Sequence, residues 1–167
     1  MSADLPRLHH VTLLCDDLQT CAAFYHREFG LEYVPKPGLD YPAAFFRINE
    51  IQELHLAEMP DEAPSFRGHF CLRVPDFNAI FWRMDALGIL TTRPWGKVRE
   101  LPGGVIQCYV RDPAGNLVEI TSNPEERGAI DPAIFEHPAW GGEPYCSGLN
   151  DGRTYQPHSS SVSEETK

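Results

Sequence analysis

The feature that most constrains this chain is a strand that occurs twice. Gly68-His69-Phe70-Cys71-Leu72-Arg73-Val74 alternates with a period of two, with Phe70, Leu72 and Val74 on one face and His69, Cys71 and Arg73 on the other. A strand with one face packed on helices and the other facing something polar has this pattern. A near copy, Leu8-His9-His10-Val11-Thr12-Leu13-Leu14, begins 60 positions before it, and His10 and His69 are then 59 apart. With His10 aligned on His69, Asp17 falls on Asp76 and Leu18 on Phe77, while Gly30 and Gly88 differ by one position. Each aspartate suits a helix N-cap and each glycine a helix end. The first copy predicts strands over 8–15, 31–34, 43–48 and 51–57 and a helix over 18–29. The second predicts strands over 69–74, 89–92, 105–111 and 117–121 and a helix over 77–87, with 98–101 extending the pairing. Both read β-α-β-β-β, an internal duplication.

A chain of 167 residues holds one compact domain or two small fused modules. The units are expected over 6–60 and 66–123, followed by an irregular C-terminal arm over 124–146 and a disordered tail over 147–167. The net charge of −10, without a cluster of Lys and Arg, argues against a nucleic-acid partner and against acidic membranes. No run approaches the ~20 apolar residues of a membrane helix, and the N-terminus has no basic-then-apolar leader pattern. The five cysteines, Cys15, Cys21, Cys71, Cys108 and Cys146, contain no C-x-x-C pair. They read as reduced thiols in a cytoplasmic protein.

Four residues at the first and last strands of the two units fall on the polar faces: His10, His55, His69 and Glu119. Val11, Leu54, Phe70, Val118 and Ile120 take the packing side. Any one of these histidines alone reads as a partly solvated strand residue. Their equivalence under the repeat makes them a set. If the two sheets curl together, the set shares one cleft, and imidazoles with one carboxylate suit a divalent ion such as Fe(II), Mn, Ni, Co or Zn.

The strings Leu8-His9-His10-Val11-Thr12-Leu13, Phe24-Tyr25 with Phe29-Gly30-Leu31, Glu53-Leu54-His55-Leu56, Gly68-His69-Phe70 and Tyr109-Val110-Arg111-Asp112-Pro113-Ala114-Gly115-Asn116-Leu117-Val118-Glu119 carry a family resemblance. Over residues 8–122 the chain resembles the vicinal oxygen chelate superfamily of glyoxalase I, bleomycin-resistance proteins, fosfomycin-resistance enzymes, methylmalonyl-CoA epimerase and type I extradiol dioxygenases. The resemblance implies an α+β fold in which two paired βαβββ modules form a cupped, mostly antiparallel half-barrel sheet around a metal. It implies that His10, His69 and Glu119 are metal ligands, with His55 at the position of a fourth ligand or of an acid/base histidine. It also implies a small-molecule substrate and a homodimer.

The leading expectation is a lyase or isomerase of glyoxalase type, acting on a small molecule that chelates the metal through adjacent oxygens, with Glu119 or His55 as the base. Glyoxalase I usually carries Glu where this chain has His55, which argues against lactoylglutathione lyase activity itself. The alternatives are an Fe(II)-dependent ring-cleaving dioxygenase, with His55 moving the proton and Tyr109 bonding the substrate, and a non-catalytic sequestering protein. Glu100, Leu101 and Pro102 stand where ring-cleaving relatives place a further histidine, which favours the lyase or isomerase reading. Gln107, Arg73 and Thr12 share the cleft face, and a loop with Arg93, Trp95, Lys97 and Arg99 offers positive charge, so Thr12, Arg73, Arg93, Trp95 and Gln107 are candidate substrate contacts.

Overall fold

The computed structural model describes residues 8–35, 41–61, 68–93, 96–101 and 104–141. The first unit runs β1 (His10–Cys15), α1 (Leu18–Phe29), β2 (Glu32–Tyr33), β3 (Ala43–Arg47) and β4 (Glu53–Glu58). The second runs β5 (Phe70–Arg73), α2 (Phe77–Ala86), β6 (Arg99–Glu100), β7 (Ile106–Arg111) and β8 (Leu117–Thr121). The strands form two four-stranded sheets, ordered β1-β4-β3-β2 and β5-β8-β7-β6. In each, the first and last strands of the unit pair in parallel and the other pairs are antiparallel. These are the paired βαβββ modules of the expected fold, and the two sheets are not closed into a barrel.

The duplication holds at the level of single backbone angles. Asp17 accepts from the Thr20 N–H and Asp76 from the Ala79 N–H, both at 3.0 Å, from extended backbone at φ −136° and −138°. Each helix ends at a left-handed glycine, Gly30 at φ 67° and Gly88 at φ 68°. That region disfavours any residue with a Cβ. Helix α1 buries Cys21, Ala22 and Tyr25, and α2 buries Phe77, Phe81 and Met84. They pack on the apolar strand faces, where Leu13, Leu54, Leu56, Val118 and Ile120 are all at most 1% exposed. Such alternation leaves the opposite face of each sheet for polar residues.

One strand differs from expectation. The predicted strand over 89–92 is reduced to a single bridge, Leu90 to Val110, and β6 forms beside β7 at Arg99–Glu100. The reason is local. The Thr91 hydroxyl accepts from the Arg93 N–H and donates to the Arg93 carbonyl, which turns the chain away from β7. The chain returns to β7 at Arg99, opposite Gln107, so the edge strand is split in two.

The two units are fastened through buried polar groups. The Tyr25 hydroxyl of α1 donates to Asp112 Oδ2 at 2.8 Å, and Asn116 Nδ2 donates to the Leu14 carbonyl at 3.1 Å. Arg83 of α2 donates to the carbonyls of Arg27 and Glu28 at the end of α1. Beyond β8 the chain forms a 3-10 turn over Pro124–Ala129 and a short helix α3 over Pro132–Phe135. This segment lies on α2, where Trp82 Nε1 donates to Asp131 Oδ2 at 2.9 Å and His137 Nε2 stands 3.1 Å from Asp85. It then runs beside Val98, which donates to the Ala139 carbonyl and accepts from the Gly141 N–H. The expected tail over 147–167, the end of the arm past Gly141, Cys146 and Trp95 lie outside the described residues. No helix among the described residues is long and apolar enough to cross a membrane.

Candidate metal and substrate site

The polar faces of the two sheets carry the candidate residues in register. On the first sheet Thr12 lies opposite His55, which lies opposite Phe45, and one row along His10 lies opposite Glu53 and Glu53 opposite Arg47. On the second, Cys71 lies opposite Glu119 and Glu119 opposite Tyr109. The next row runs Arg73, Thr121, Gln107 and Arg99.

The four expected metal donors stand as two pairs. His69 Nε2 and Glu119 Oε2 are 2.6 Å apart, and the Tyr109 ring meets His69 edge-on with centroids 5.4 Å apart. His10 and His55 stack, with centroids 4.2 Å apart and planes 12° from parallel. Each member of that stack has a neighbour on a ring nitrogen. His9 Nδ1 is 2.9 Å from His10 Nδ1, and Glu53 Oε2 is 2.8 Å from His55 Nε2. His10 and His69 meet at one cavity of about 350 Å³, which Glu53, Gln52 and Cys71 also line. A second cavity, about 640 Å³, shares His9, Gln52 and Glu53 with the first and extends to Arg47 and Asn49.

Burial sets the protonation of the tyrosine and the thiols around the site. Burial, and after it the charge of Glu119, hold the Tyr109 phenol well above its ordinary value, so it keeps its proton and acts as a hydrogen-bond donor. Burial also raises the Cys71 thiol, and Glu119 adds to the shift. Burial pushes Cys15 up to about 11 and Cys21 up to about 12, and raises Cys108 further. Thiols shifted in this direction are poor nucleophiles at neutral pH. None of these four cysteines forms a disulfide.

The donor set can be tested against a divalent ion. Donors bound side by side at about 2.0–2.2 Å from one ion stand about 3–3.5 Å from each other, for octahedral to tetrahedral angles. At 2.6 Å His69 Nε2 and Glu119 Oε2 are in direct contact, closer than that, so the pair has the right donor types on neighbouring strands and has to part slightly to take two adjacent positions. His10 lines the same cavity as His69 and supplies a donor of the right kind. As the side chains lie, no group of three or more His, Cys, Asp or Glu among the described residues is close enough to hold an ion.

The candidate substrate contacts divide in the same way. Thr12 is exposed beside His55, and Gln107 is 8% exposed in the row that joins Arg73 to Arg99. Arg93 lies away from these rows, in the turn that Thr91 makes. Glu53, His9 and Thr121 were not singled out by the sequence reading. Glu53 had a signal, since it stands two residues before His55 on one strand and therefore shares its face.

Comparison with known proteins bears on the whole arrangement. Among solved structures, a lactoylglutathione lyase from Agrobacterium tumefaciens is 28% identical, with 73% of this chain and 97% of that chain covered and a TM-score of 0.55. The oxidase ChaP-H2 is 25% identical over 71% of this chain and 94% of that chain, with a TM-score of 0.59. The fosfomycin resistance protein FosX from Listeria monocytogenes is 18% identical over 74% and 98%, with a TM-score of 0.54, a likeness of fold alone. No curated protein matches the sequence. The family model described as Glyoxalase/Bleomycin resistance protein/Dioxygenase superfamily matches residues 7–120, well over half of the chain, and with the duplicated βαβββ fold it places this protein in that superfamily.

Proposed function

We propose that the chain is a metal-dependent enzyme of this superfamily, a lyase or isomerase that acts on a small molecule through two adjacent oxygens. The observation that carries the reading is the His69–Glu119 pair at 2.6 Å, with Tyr109 beside it and His10 on the same cavity. His10, His69 and Glu119 would hold the ion, with His55 as a further donor or as the acid/base group. A bound divalent ion would supply a Lewis acid for the negative charge that develops on the substrate oxygens.

The remaining roles belong to the chain. The protonated Tyr109 hydroxyl donates to a substrate oxygen. Thr12 stands across the strand pair from His55 and donates to a bound substrate oxygen. Arg73 and Gln107 share a cross-strand row and receive the polar end of the substrate. A proton moves between a substrate carbon and His55 or Glu119, within the polar face and away from the packed core.

The likeness to the oxidase ChaP-H2 supports a second reading, an Fe(II)-dependent dioxygenase or oxidase. Metal content by mass spectrometry, followed by two assays on the loaded protein, separates the readings. The lyase or isomerase reading expects a bound divalent metal and solvent deuterium entering a panel of α-hydroxy and α-keto carbonyl compounds, without oxygen uptake. Oxygen uptake with Fe(II) and catechols would replace it with the dioxygenase reading. Tight binding of an aromatic ligand, without metal and without turnover, would replace both with sequestration.

A further inference from the structure

The larger of the two cavities beside the site, about 640 Å³, lies at the turn between β3 and β4. It adjoins the cavity of His10 and His69, since His9, Gln52 and Glu53 line both. Side-chain hydrogen bonds build its floor. Asn49 Oδ1 accepts from the Ile51 and Gln52 N–H groups, both at 3.0 Å, and Asn49 Nδ2 donates to Gln52 Oε1 at 2.7 Å. Gln52 Nε2 donates to the Leu8 carbonyl at 3.4 Å and the Glu53 N–H to the His9 carbonyl at 2.9 Å, which ties the turn to the start of β1. An asparagine that bonds the backbone two residues on fixes the shape of a turn.

Arg47 is the one Lys or Arg in this lining. It stands in the cross-strand row His10, Glu53, Arg47, Glu32, between two glutamates in register. Opposite charges placed in this way ordinarily pair. Glu53 Oε2 instead stands 2.8 Å from His55 Nε2, and Arg47 forms no ion pair among the described residues. Its exposed guanidinium offers a planar fork of donors that matches a carboxylate. His10 and Arg47 are two strands apart, about 10 Å within the sheet, so a short carbon chain spans from the expected ion to the guanidinium. The lining also limits the charge of the group. Glu50 and Glu53 share the cavity, so one guanidinium beside two carboxylates suits a single negative charge. A phosphate, at about −1.5 to −2, meets more repulsion.

We propose that this cavity is the subsite for a second carboxylate of the substrate, held by Arg47. The substrate class is then a small acid with adjacent oxygens at one end and a carboxylate at the other. The end with adjacent oxygens meets the ion and the row of Arg73 and Gln107 on the second sheet, and the distal carboxylate meets Arg47 on the first. This rests on the metal-dependent reading above for the first end. It adds a residue of β3 that selects substrates by their far end.

Isothermal titration calorimetry on the full chain, with and without Zn(II), tests it with two α-keto acids of equal length. α-Ketoadipate carries the distal carboxylate and α-ketohexanoate lacks it. With Zn(II) bound, α-ketoadipate should bind about fivefold more tightly, the upper worth of an ion pair open to water. Arg47→Ala should erase that preference while leaving the affinities for α-ketohexanoate and Zn(II) unchanged, and Arg47→Lys should keep part of it. The analogue of α-ketoadipate with a distal phosphonate should bind more weakly than α-ketoadipate and gain affinity in Glu50→Gln. Equal affinities for the two keto acids in the wild type would overturn the proposal, as would the same preference in Arg47→Ala or no binding of either acid. Tighter binding of the phosphonate than of the carboxylate would overturn the substrate class. If Zn(II) changes neither affinity, the metal-dependent reading fails instead, and the dependence of the preference on Arg47 still decides the subsite.

Discussion

Tyr25→Phe tests how the two units are joined, and its effect can be worked out from the contacts. Tyr25 is 0% exposed, and its hydroxyl donates to Asp112 Oδ2 at 2.8 Å. Asp112 also accepts from the Asn116 backbone N–H at 2.7 Å and from Asn116 Nδ2 at 2.9 Å. Asn116 in turn reaches the Leu14 carbonyl, so the turn between β7 and β8 is tied to both α1 and β1. Phenylalanine keeps the ring and its neighbours Phe29, Phe46 and Phe70, with centroids at 6.1, 6.5 and 6.3 Å. The change therefore isolates one buried hydrogen bond. Such a bond to a carboxylate contributes about 1.5–3 kcal/mol. Because Asp112 keeps two donors, the loss should fall near the lower end, about 2 kcal/mol. For a chain of this size that corresponds to a fall in Tm of about 4–8 °C. Urea unfolding followed by tryptophan fluorescence reads the free energy directly, and the slope m should not change, since the surface exposed on unfolding is the same. A loss below about 0.5 kcal/mol would show that the hydroxyl contributes little to joining the units. A lower m would show that the variant had altered the native or denatured state as a whole.

Three further outcomes are expected at Asp112, Trp82 and His69. Burial raises the Asp112 pKa above its ordinary value, so its contribution to stability is fully present below the unfolded carboxylate value of about 3.9 and is lost as pH rises through the raised folded value. The unfolding free energy of wild type minus that of Asp112→Asn should therefore fall with rising pH across that window and then level off; a difference that rises would contradict the burial argument. Trp82→Phe removes the bond to Asp131 and should speed hydrogen exchange at the α3 amides about fivefold, for a bond of about 1 kcal/mol, while leaving exchange in β7 and β8 unchanged. His69→Ala should lose bound metal yet keep the circular dichroism of the wild type, because the side chain lies on the polar face of its sheet; gross unfolding of that variant would place the residue in the core.

Much of the fold was legible because its signals are local. Period-two alternation marked β1, β5 and β8, and an aspartate cap with a closing glycine marked each helix, in α1 to the residue at both ends. The equivalence of His10 and His69 came from the repeat, and the structure brings both to one cavity. What was hidden depends on contacts between distant residues or on side-chain rotation. The split edge strand follows from the Thr91 hydroxyl engaging the Arg93 backbone, which competes with strand pairing and leaves no trace in hydrophobic period. The stack of His10 on His55 needs the parallel register of β1 on β4, which neither strand encodes alone. The tie between Tyr25 and Asp112 joins residues 87 apart. The division of the expected metal donors into two pairs follows the two sheets, His10 and His55 on β1 and β4 of one, and Glu119 on β8 of the other with His69 just before β5.

The proposed function requires one ion held between the two units. Crystals of the full chain soaked in Co(II), with an anomalous difference map recorded at the cobalt edge, test it. One strong peak is expected within bonding distance of His69 Nε2 and the Glu119 carboxylate, with the His10 ring turned to the same peak. A peak on the first sheet alone, or no peak near Glu119, would contradict it.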